Sequence, residues 1–381
     1  MYTPYQTYIE TLNNTGKYRK LPIFRQEKFL NVLDFSNNDY LALSQHPHVV
    51  DAAVCAARRY GVGAKASRLL AEYHPLYHCL ETRIAQDKKT EAALFFSSGF
   101  QANVSVLSAL LDRRVLKSQP LVFCDRLNHA SIYQALISSQ CEWVRYRHLD
   151  MEHLQSLLER YAQDSRPKFI VTETLFGMDG DLSPLEKIYA LALAYKTFVY
   201  LDEAHATGLF GPQGYGHSTT QVWDQVPHLI MGTFSKALGG SGAYIACNQV
   251  LKDYLVNKAS GFIYSTAPSP CSVAAALKAW KMVEFMAPQR AHLHDLSDEF
   301  RNMLSTQKVD IGTSTTHIIP IILENEAQVM ETQKKLRAKN IYVSGIRPPT
   351  VPPGSARLRI GLRASHTKED LYRFMEEWKK I

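Results

Sequence analysis

Residues 197–208, TFVYLDEAHATG, pass from an apolar run straight into two acidic residues and a histidine. Such a run favours a buried strand that ends where its polar residues begin. Further runs of this kind are AALFFSS (92–98), LVFCD (121–125), EWVRY (142–146), KFIVTETL (168–175), HLIMGTFSK (228–236) and GAYIAC (242–247). We therefore predict a sheet of seven buried strands.

Helical patterns alternate with these runs near residues 101–112, 129–139, 151–163 and 184–195. This alternation is typical of an α/β fold with a mainly parallel sheet and helices on both faces. After residue 275 a helical pattern continues to about 307, and short strands follow near 316–323, 341–346 and 356–362. We predict an N-terminal helix and extended segment (1–43), a large domain (44–275) and a smaller α+β C-terminal domain (276–381).

The composition of the 381 residues, 46% hydrophobic and 21% charged, is ordinary for a folded soluble protein. The start, MYTPYQTYIE, lacks the basic and apolar regions of a signal peptide, and no apolar run approaches the length of a membrane span. We expect a cytoplasmic protein with no membrane partner.

The net charge of +7 is concentrated near the C-terminus, where residues 331–381 carry twelve Lys and Arg against five Asp and Glu. A basic segment suggests nucleic acid as one partner. The arginines in SARLRIGLRASH (355–366), however, alternate with apolar residues, which favours a strand that directs arginines at a small anion. We predict no nucleic-acid partner.

The six cysteines are scattered, and none forms a C-x-x-C pair. This spacing favours buried free thiols over disulfides or a zinc site, and no metal is predicted. The cysteines are Cys55, Cys79, Cys124, Cys141, Cys247 and Cys271.

Several predicted strands end in polar residues, namely Asp125, Glu173, Asp202 and Lys236. In parallel sheets, ligands bind beyond the carboxyl ends of the strands. Lys236 lies in GTFSKALGG (232–240), whose small residues do not lift it easily into solvent, although a surface lysine is the common alternative. A lysine held at low dielectric loses its proton and, as a neutral amine, condenses with aldehydes. Schiff-base chemistry is therefore our hypothesis for Lys236.

A lysine that binds pyridoxal 5′-phosphate needs an acid for the pyridinium nitrogen, a donor for the phenolic oxygen and a phosphate site. Asp202 and His205 of LDEAH supply the first two. The same letters occur in helicase-type ATPases, but those also need G-x-x-x-x-G-K-[ST], which this sequence lacks.

The predicted phosphate site is SSGFQAN (97–103), where Gly99 and Phe100 open a helix after a strand. The hydroxyls of Thr233 and Ser235 add donors. His129 could lie against the cofactor ring, with a core or N-cap histidine as the alternative.

These motifs together resemble the α-oxoamine synthases, a family of fold-type-I pyridoxal-phosphate enzymes, over about residues 30–370. The segments that carry the resemblance are NNDYLALS (37–44), GVGAKASRLLAEYHPLYHCLE (61–81), SSGFQAN, DRLNHASI (125–132), ETLFGMDGDLSPL (173–185), LDEAHATGLFGPQGYG (201–216), GTFSKALGG, GFIYSTAPSP (261–270) and IRPPTVPPGSARLRIGLRASHT (346–367).

The resemblance implies a role for each matching residue. Lys236 matches the Schiff-base lysine, Asp202 the pyridinium partner and His205 the donor to the phenolic oxygen. His129 matches the ring-stacking histidine, which is also near the substrate. The other implied cofactor contacts are Gly99, Phe100, Glu173, Gly177, Thr233 and, from the neighbouring subunit of a homodimer, Thr266. The implied substrate contacts are Asn38, Thr350, Arg359 and Arg19, with Lys17 or Lys20 as alternatives to Arg19.

The chain departs from the family pattern at three positions. Gly177 stands where the family usually has serine, which removes one hydroxyl contact to the cofactor. Lys65 and Glu72 stand where the family usually has small residues. These changes concern the fine shape of the entrance for the acyl thioester.

Members of the family differ in their substrates. The stretch IRPPTVPPGSARLRI (346–360) most resembles members that condense L-alanine with a pimeloyl thioester, carried by coenzyme A or by acyl carrier protein. Two alternatives stay open: a sister enzyme such as 2-amino-3-ketobutyrate CoA ligase or an autoinducer synthase, and a catalytically idle scaffold that binds the cofactor.

Overall fold

The computed structural model describes residues 1–15, 17–19, 21, 32–70, 74–323 and 325–381. The chain folds into two compact units. The first, here called the sheet unit, comprises residues 39–176 and 182–290, and the second, the terminal unit, comprises residues 1–38, 177–181 and 291–381. The division into 1–43, 44–275 and 276–381 stays a prediction.

The strands in the described residues are short, with two to six residues each. They are β1 (Leu33–Asp34), β2 (Ala92–Phe96), β3 (Leu121–Asp125), β4 (Glu142–Tyr146), β5 (Lys168–Glu173), β6 (Phe198–Asp202), β7 (His228–Thr233), β8 (Ala243–Cys247), β9 (Ile318–Ile322), β10 (Ile341–Tyr342), β11 (Ser344–Ile346) and β12 (Arg357–Gly361).

Helices follow most of the strands. They are α1 (Thr3–Asn14), α2 (Pro47–Tyr60), α3 (Pro75–Lys88), α4 (Gly99–Leu110), α5 (Arg113–Leu116), α6 (Ala130–Ser139), α7 (Met151–Arg160), α8 (Leu185–Ala194), α9 (Gln249–Lys258), α10 (Ser260–Ile263), α11 (Pro270–Val283), α12 (Ala287–Thr306), α13 (Glu326–Ala338) and α14 (Lys368–Trp378). Within the described part of the chain, no helix has both the length and the apolar character that a membrane span requires.

The sheet unit is built on a seven-stranded sheet with the order β2-β8-β7-β6-β5-β3-β4. Neighbouring strands from β7 to β4 run parallel, whereas β8 is antiparallel to both β7 and β2. The seven predicted strands and the mainly parallel α/β fold are thus confirmed. The predicted burial is wrong for β4, which lies at the edge of the sheet and buries only Tyr146. Apolar residues fill the strands because helices cover them, and each large side chain fully buried in this way contributes about 1.5–3 kcal/mol.

The terminal unit contains a three-stranded antiparallel sheet, β11-β12-β9, and a short parallel pair, β1 with β10. Phe35, next to β1, packs against the rings of Phe300 and Phe374. These elements confirm the predicted α+β character. The long helical pattern up to about 307 is wrong in one respect, because α11 ends at Val283 and α12 begins at Ala287.

All six cysteines are free. Cys124, Cys141 and Cys247 are buried, as expected, in the apolar core of the sheet unit. The expectation of burial is wrong for Cys55 on α2 and Cys79 on α3, whose side chains are exposed.

Candidate active site

Three of the predicted site residues come from neighbouring strands of the sheet. Glu173 is the last residue of β5 and lies opposite Asp202, the last residue of β6. Lys236 follows three residues after the end of β7, which pairs with β6. Because these strands are parallel, their carboxyl ends meet at one edge, as the sequence predicted.

Asp202 is almost fully buried, with 3% of its surface exposed. Its Oδ2 accepts a hydrogen bond from Asn103 Nδ2 on α4 at 2.7 Å, and its Oδ1 accepts one from the backbone N–H of Ala204 at 2.9 Å. The two donors come from different elements and hold the carboxylate in one orientation. A carboxylate fixed in this way can bind a cationic N–H group.

His129 caps the N-terminus of α6, which confirms the N-cap interpretation of the sequence, and its place against a cofactor ring stays a prediction. Its Nδ1 accepts from the backbone N–H of Ser131 at 3.3 Å and lies 2.7 Å from Ser131 Oγ. Because a backbone N–H can only donate, the proton of the neutral ring is on Nε2. Burial lowers the pKa of His129; the Lys236 ammonium lowers it further, while Asp202 opposes the change.

The carboxyl group of Glu173 is fully buried and retains its proton more strongly than an ordinary glutamate. Burial raises its pKa well above the usual value, and the charge of Asp202 raises it further. The charge of Lys236 and a hydrogen bond from the His129 backbone both lower the pKa of Glu173. Glu173, Asp202, His129 and Lys236 therefore interact electrostatically as one cluster.

Lys236 is half-buried in a tight turn after β7. The turn is closed by hydrogen bonds from Gly239 N to the Lys236 carbonyl at 2.9 Å and from Gly240 N to the Phe234 carbonyl at 2.8 Å. Gly239 has a φ of +63°, and a β-carbon there would fall 2.1 Å from the backbone nitrogen of Ser44. Only glycine allows the turn to pack this closely.

His205 lies three residues beyond Asp202 and is 7% exposed. Its Nδ1 is 2.8 Å from the hydroxyl of Tyr40. This contact restricts the rotation of the imidazole ring. Tyr40 belongs to the NNDYLALS segment, from which the sequence predicted only Asn38.

The predicted phosphate site is at the N-terminus of α4. Ser98 caps this helix by accepting from the backbone N–H of Gln101 at 3.2 Å, and Gly99 and Phe100 form its first turn. A β-carbon at Gly99 would lie 3.9 Å from the side chain of Thr233, so Thr233 adjoins the helix start. Backbone N–H groups at a helix start and nearby hydroxyls suit a phosphate group.

Two further predicted residues lie close to this helix start. Ser235 Oγ is 2.8 Å from Thr233 Oγ1. Thr266 is exposed, and its carbonyl is 3.5 Å from Ser97 Oγ in the same sheet unit. The contact that Thr266 would make across a subunit boundary stays a prediction.

The terminal unit brings Arg359 and Gly177 together. Arg359 on β12 is 3% exposed, and its Nε donates to the Gly177 carbonyl at 2.5 Å. Arg357, two residues earlier, binds Asp179 at 2.6 Å. Arg359 contacts the backbone carbonyl of Gly177, so this hydrogen bond does not depend on a side chain at position 177.

The same unit joins two predicted substrate residues. Arg19 NH2 donates to Thr350 Oγ1 at 3.2 Å. Lys17 is exposed, and Lys20 and Glu72 lie outside the described residues. Asn38 is half-buried, next to a segment in which the Phe35 carbonyl accepts from Gly361 at the end of β12.

The sequence did not single out Asn103, Ser131, Tyr200 or Tyr40. All four lie in or beside the quoted motifs, which was the available signal. Their partners are 28 to 165 positions away in the chain, and local sequence patterns do not identify such partners.

Comparisons with known proteins find relatives in sequence and in fold. A family model described as aminotransferase class I and II matches residues 31–377. The 8-amino-7-oxononanoate synthase of Gluconacetobacter diazotrophicus is 42% identical over 349 residues, covering 91% of this chain and 86% of that protein.

Two solved structures are similar over most of the chain. The serine palmitoyltransferase of Sphingomonas wittichii has a TM-score of 0.90 at 27% identity, covering 100% of this chain and 96% of that one. The 8-amino-7-oxononanoate synthase of Francisella tularensis has a TM-score of 0.79 at 28% identity, covering 92% and 97%.

Proposed function

The chain belongs to the class I and II aminotransferase family, and on that premise we propose that it is an 8-amino-7-oxononanoate synthase. In this reaction L-alanine condenses with a pimeloyl thioester, and carbon dioxide and the free thiol leave; the product is a precursor in biotin biosynthesis. The observation that carries the proposal is the 42% identity to a synthase of that name over 91% of the chain. The resemblance to the α-oxoamine synthases is thereby confirmed, and with it the assignment as a pyridoxal-phosphate-dependent acyltransferase.

The residues present suit pyridoxal 5′-phosphate. The sheet unit offers a lysine amine in a turn, a buried carboxylate held by two donors and a helix start beside hydroxyl groups. When bound, the cofactor supplies an electron sink for the electrons released from the α-carbon of the amino acid. Lys236 would hold it covalently, Asp202 would bind its ring nitrogen, and its phosphate would be bound by Gly99, Phe100, Thr233 and, from the neighbouring subunit, Thr266.

The side chains of this unit also move protons. We assign to the Lys236 amine the role of general base at the α-carbon of alanine. His129 and Lys236 are the alternative proton donors when the product is reprotonated; His129 would give its Nε2 proton from the imidazolium form, which leaves a neutral ring. His205 would donate to the phenolic oxygen of the cofactor, and Glu173 and Gly177 would complete the contacts around it.

Substrate binding is assigned to residues of the terminal unit. Arg359 would hold the alanine carboxylate through a planar, two-pronged contact made by the N–H groups of its guanidinium. Asn38 is assigned to the amino-acid side of the substrates. Arg19 and Thr350, which share a hydrogen bond, are assigned to the acyl thioester.

A homodimer with shared sites and a cytoplasmic location are part of the proposal. The acyl group could arrive on coenzyme A or on acyl carrier protein. The basic residues near the C-terminus suit the phosphates of the first and the acidic surface of the second.

A product assay tests the proposal. The protein, supplied with the cofactor, receives alanine, glycine or serine with pimeloyl-CoA or pimeloyl-acyl carrier protein, and mass spectrometry identifies the products. We expect the aminoketone acid, 8-amino-7-oxononanoate, from alanine alone. A preference for glycine or serine would instead identify a sister enzyme, and no product with any pair would identify an idle scaffold.

A second measurement tests the lysine. Borohydride reduction and peptide mapping should find the reduced cofactor on the peptide that contains Lys236. Lys236→Ala should abolish both this label and turnover. Lys335→Ala on the surface of α13 is the matched control and should retain both.

A further inference from the structure

A chain of buried hydrogen bonds connects four side chains beneath the candidate site. Tyr200 OH donates to Asn103 Oδ1 at 2.7 Å. Asn103 Nδ2 donates to Asp202 Oδ2 at 2.7 Å and to Ser131 Oγ at 2.9 Å. Asn103 is 1% exposed, and Tyr200 and Ser131 are 0% exposed, so water does not compete for these groups.

The direction of each bond in this chain is determined by chemistry. The Asp202 carboxylate can only accept, so the Asn103 atom that faces it is Nδ2, and Oδ1 faces the Tyr200 hydroxyl. The Tyr200 hydroxyl is therefore the donor in its bond, and the N–H hydrogens of the amide point to Asp202 and Ser131. Since Ser131 Oγ accepts from Asn103, it can use its own hydrogen to donate to His129 Nδ1, 2.7 Å away.

We propose that Asn103 and Ser131 are positioning residues that join the two halves of the site. Asn103 holds the Asp202 carboxylate directly, and through Ser131 it directs a hydroxyl hydrogen to Nδ1 of His129, which adds a second donor to the backbone N–H that already makes Nδ1 an acceptor. One amide thereby controls both the carboxylate assigned to the cofactor nitrogen and the histidine assigned to the reacting face. The catalytic consequence rests on the proposed function, whereas the hydrogen-bond chain is a property of the protein itself.

A donated hydrogen bond to Nδ1 stabilises the neutral form of His129 and resists its protonation. The charged or titratable groups that face His129 are Asp202 from β6, Lys236 from the turn after β7 and Glu173 from β5. None of these changes when Ser131 is replaced. A change in the protonation of His129 in such a variant therefore reports the loss of the serine hydroxyl.

The test measures the pKa of His129 by hydrogen–deuterium exchange at the imidazole C2 position, read by mass spectrometry on peptides of the full chain. In Ser131→Ala the pKa should rise by about 0.4 to 1 unit, the range that corresponds to one lost hydrogen bond. Ser131→Thr keeps the hydroxyl and should restore the original value. Ser138→Ala, the same change at an exposed position of α6, should leave it unaltered.

An unchanged His129 pKa in Ser131→Ala, or no restoration in Ser131→Thr, would overturn the proposal. Where Ser131→Ala does not fold, Ser131→Cys serves instead. A thiol is a weaker donor than a hydroxyl, so the hydrogen bond to His129 Nδ1 is weakened and the pKa should again rise. The measurement of the His129 pKa needs no substrate, so it tests the hydrogen-bond chain even if the product assay finds no product.

With the cofactor, alanine and the pimeloyl thioester present, the same variants should also shift the pH profile of kcat in the direction of the pKa change. A loss of thermal stability alone, without that shift, would reduce Ser131 to a packing role and would contradict the proposal.

Discussion

Glu173 lies directly opposite Asp202 at the ends of β5 and β6, so two buried carboxyl groups share one edge of the sheet. Burial, followed by the charge of Asp202, raises the pKa of Glu173 well above its usual value. The unfolded chain ionises this group near its ordinary pKa, whereas the folded chain keeps the proton to higher pH. Above about pH 4.5, ionisation of Glu173 therefore stabilises the unfolded state relative to the folded state. The free energy of unfolding falls as the pH rises towards the pKa that Glu173 has in the folded chain.

Glu173→Gln removes this titration and keeps the shape of the side chain. The melting temperature of the variant should therefore rise relative to that of the parent as pH increases from about 4.5 to about 8, with little change in the difference below about pH 4.5. Thermal unfolding at a series of pH values checks this, and Glu331→Gln on the surface gives the effect of the same charge change at an exposed position. A relative melting temperature that falls with pH would contradict the assignment.

Lys88 and Glu203 form an ion pair in which neither side chain is exposed. Glu203 directly follows Asp202 and also accepts from the backbone N–H of Ser218 at 2.5 Å. Lys88→Met leaves a buried carboxylate without its partner, and we expect a loss of about 3–5 kcal/mol in the free energy of unfolding. Chemical denaturation measures this loss.

The control for Lys88→Met is Lys335→Met, which breaks the exposed ion pair of Lys335 with Glu331. This change should lower the free energy of unfolding by less than about 1 kcal/mol. The double variant Lys88→Met, Glu203→Gln removes the stranded charge and keeps an acceptor for Ser218, so it should recover part of the loss. A double variant no more stable than Lys88→Met would show that the stranded charge is not the cause.

The strands could be predicted from the sequence because each buried run is short, apolar and bounded by polar residues. TFVYLDEAH shows this, since its apolar part is β6 and its first acidic residue ends the strand. The break between α11 and α12 was missed because the helical pattern of burial continues across residues 284–286. Of the site, the sequence indicated the residues that end strands, such as Asp202. It could not indicate Asn103, whose role depends on three residues brought to it by folding.

The turn that carries Lys236 contains two adjacent glycines with different requirements. Gly239 has a left-handed backbone, and a β-carbon there would collide with Ser44, whereas one at Gly240 would make only ordinary contacts of 3.6 Å or more. Gly239→Ala should lower the melting temperature and weaken binding of the cofactor, because the backbone strain alone costs about 1–2 kcal/mol. Gly240→Ala, the matched control, should bind the cofactor as the parent does. The absorbance of the bound cofactor measures its binding to each variant. Equal loss of binding in Gly239→Ala and Gly240→Ala would contradict this account of the turn.

The hydrogen bond from Arg19 to Thr350 gives a test of which residue contacts the acyl substrate. Arg19→Ala removes a guanidinium group that suits a carboxylate or phosphate, and it should raise KM for the pimeloyl thioester several-fold while KM for alanine stays unchanged. Thr350→Val keeps the shape but loses the hydroxyl, so it should change the same constant in the same direction and by less. Lys17→Ala, at an exposed position shortly after the end of α1, is the comparison. Steady-state kinetics with each substrate varied in turn measures the two KM values separately. A larger rise in KM for the pimeloyl thioester in Lys17→Ala than in Arg19→Ala would transfer the assignment to Lys17.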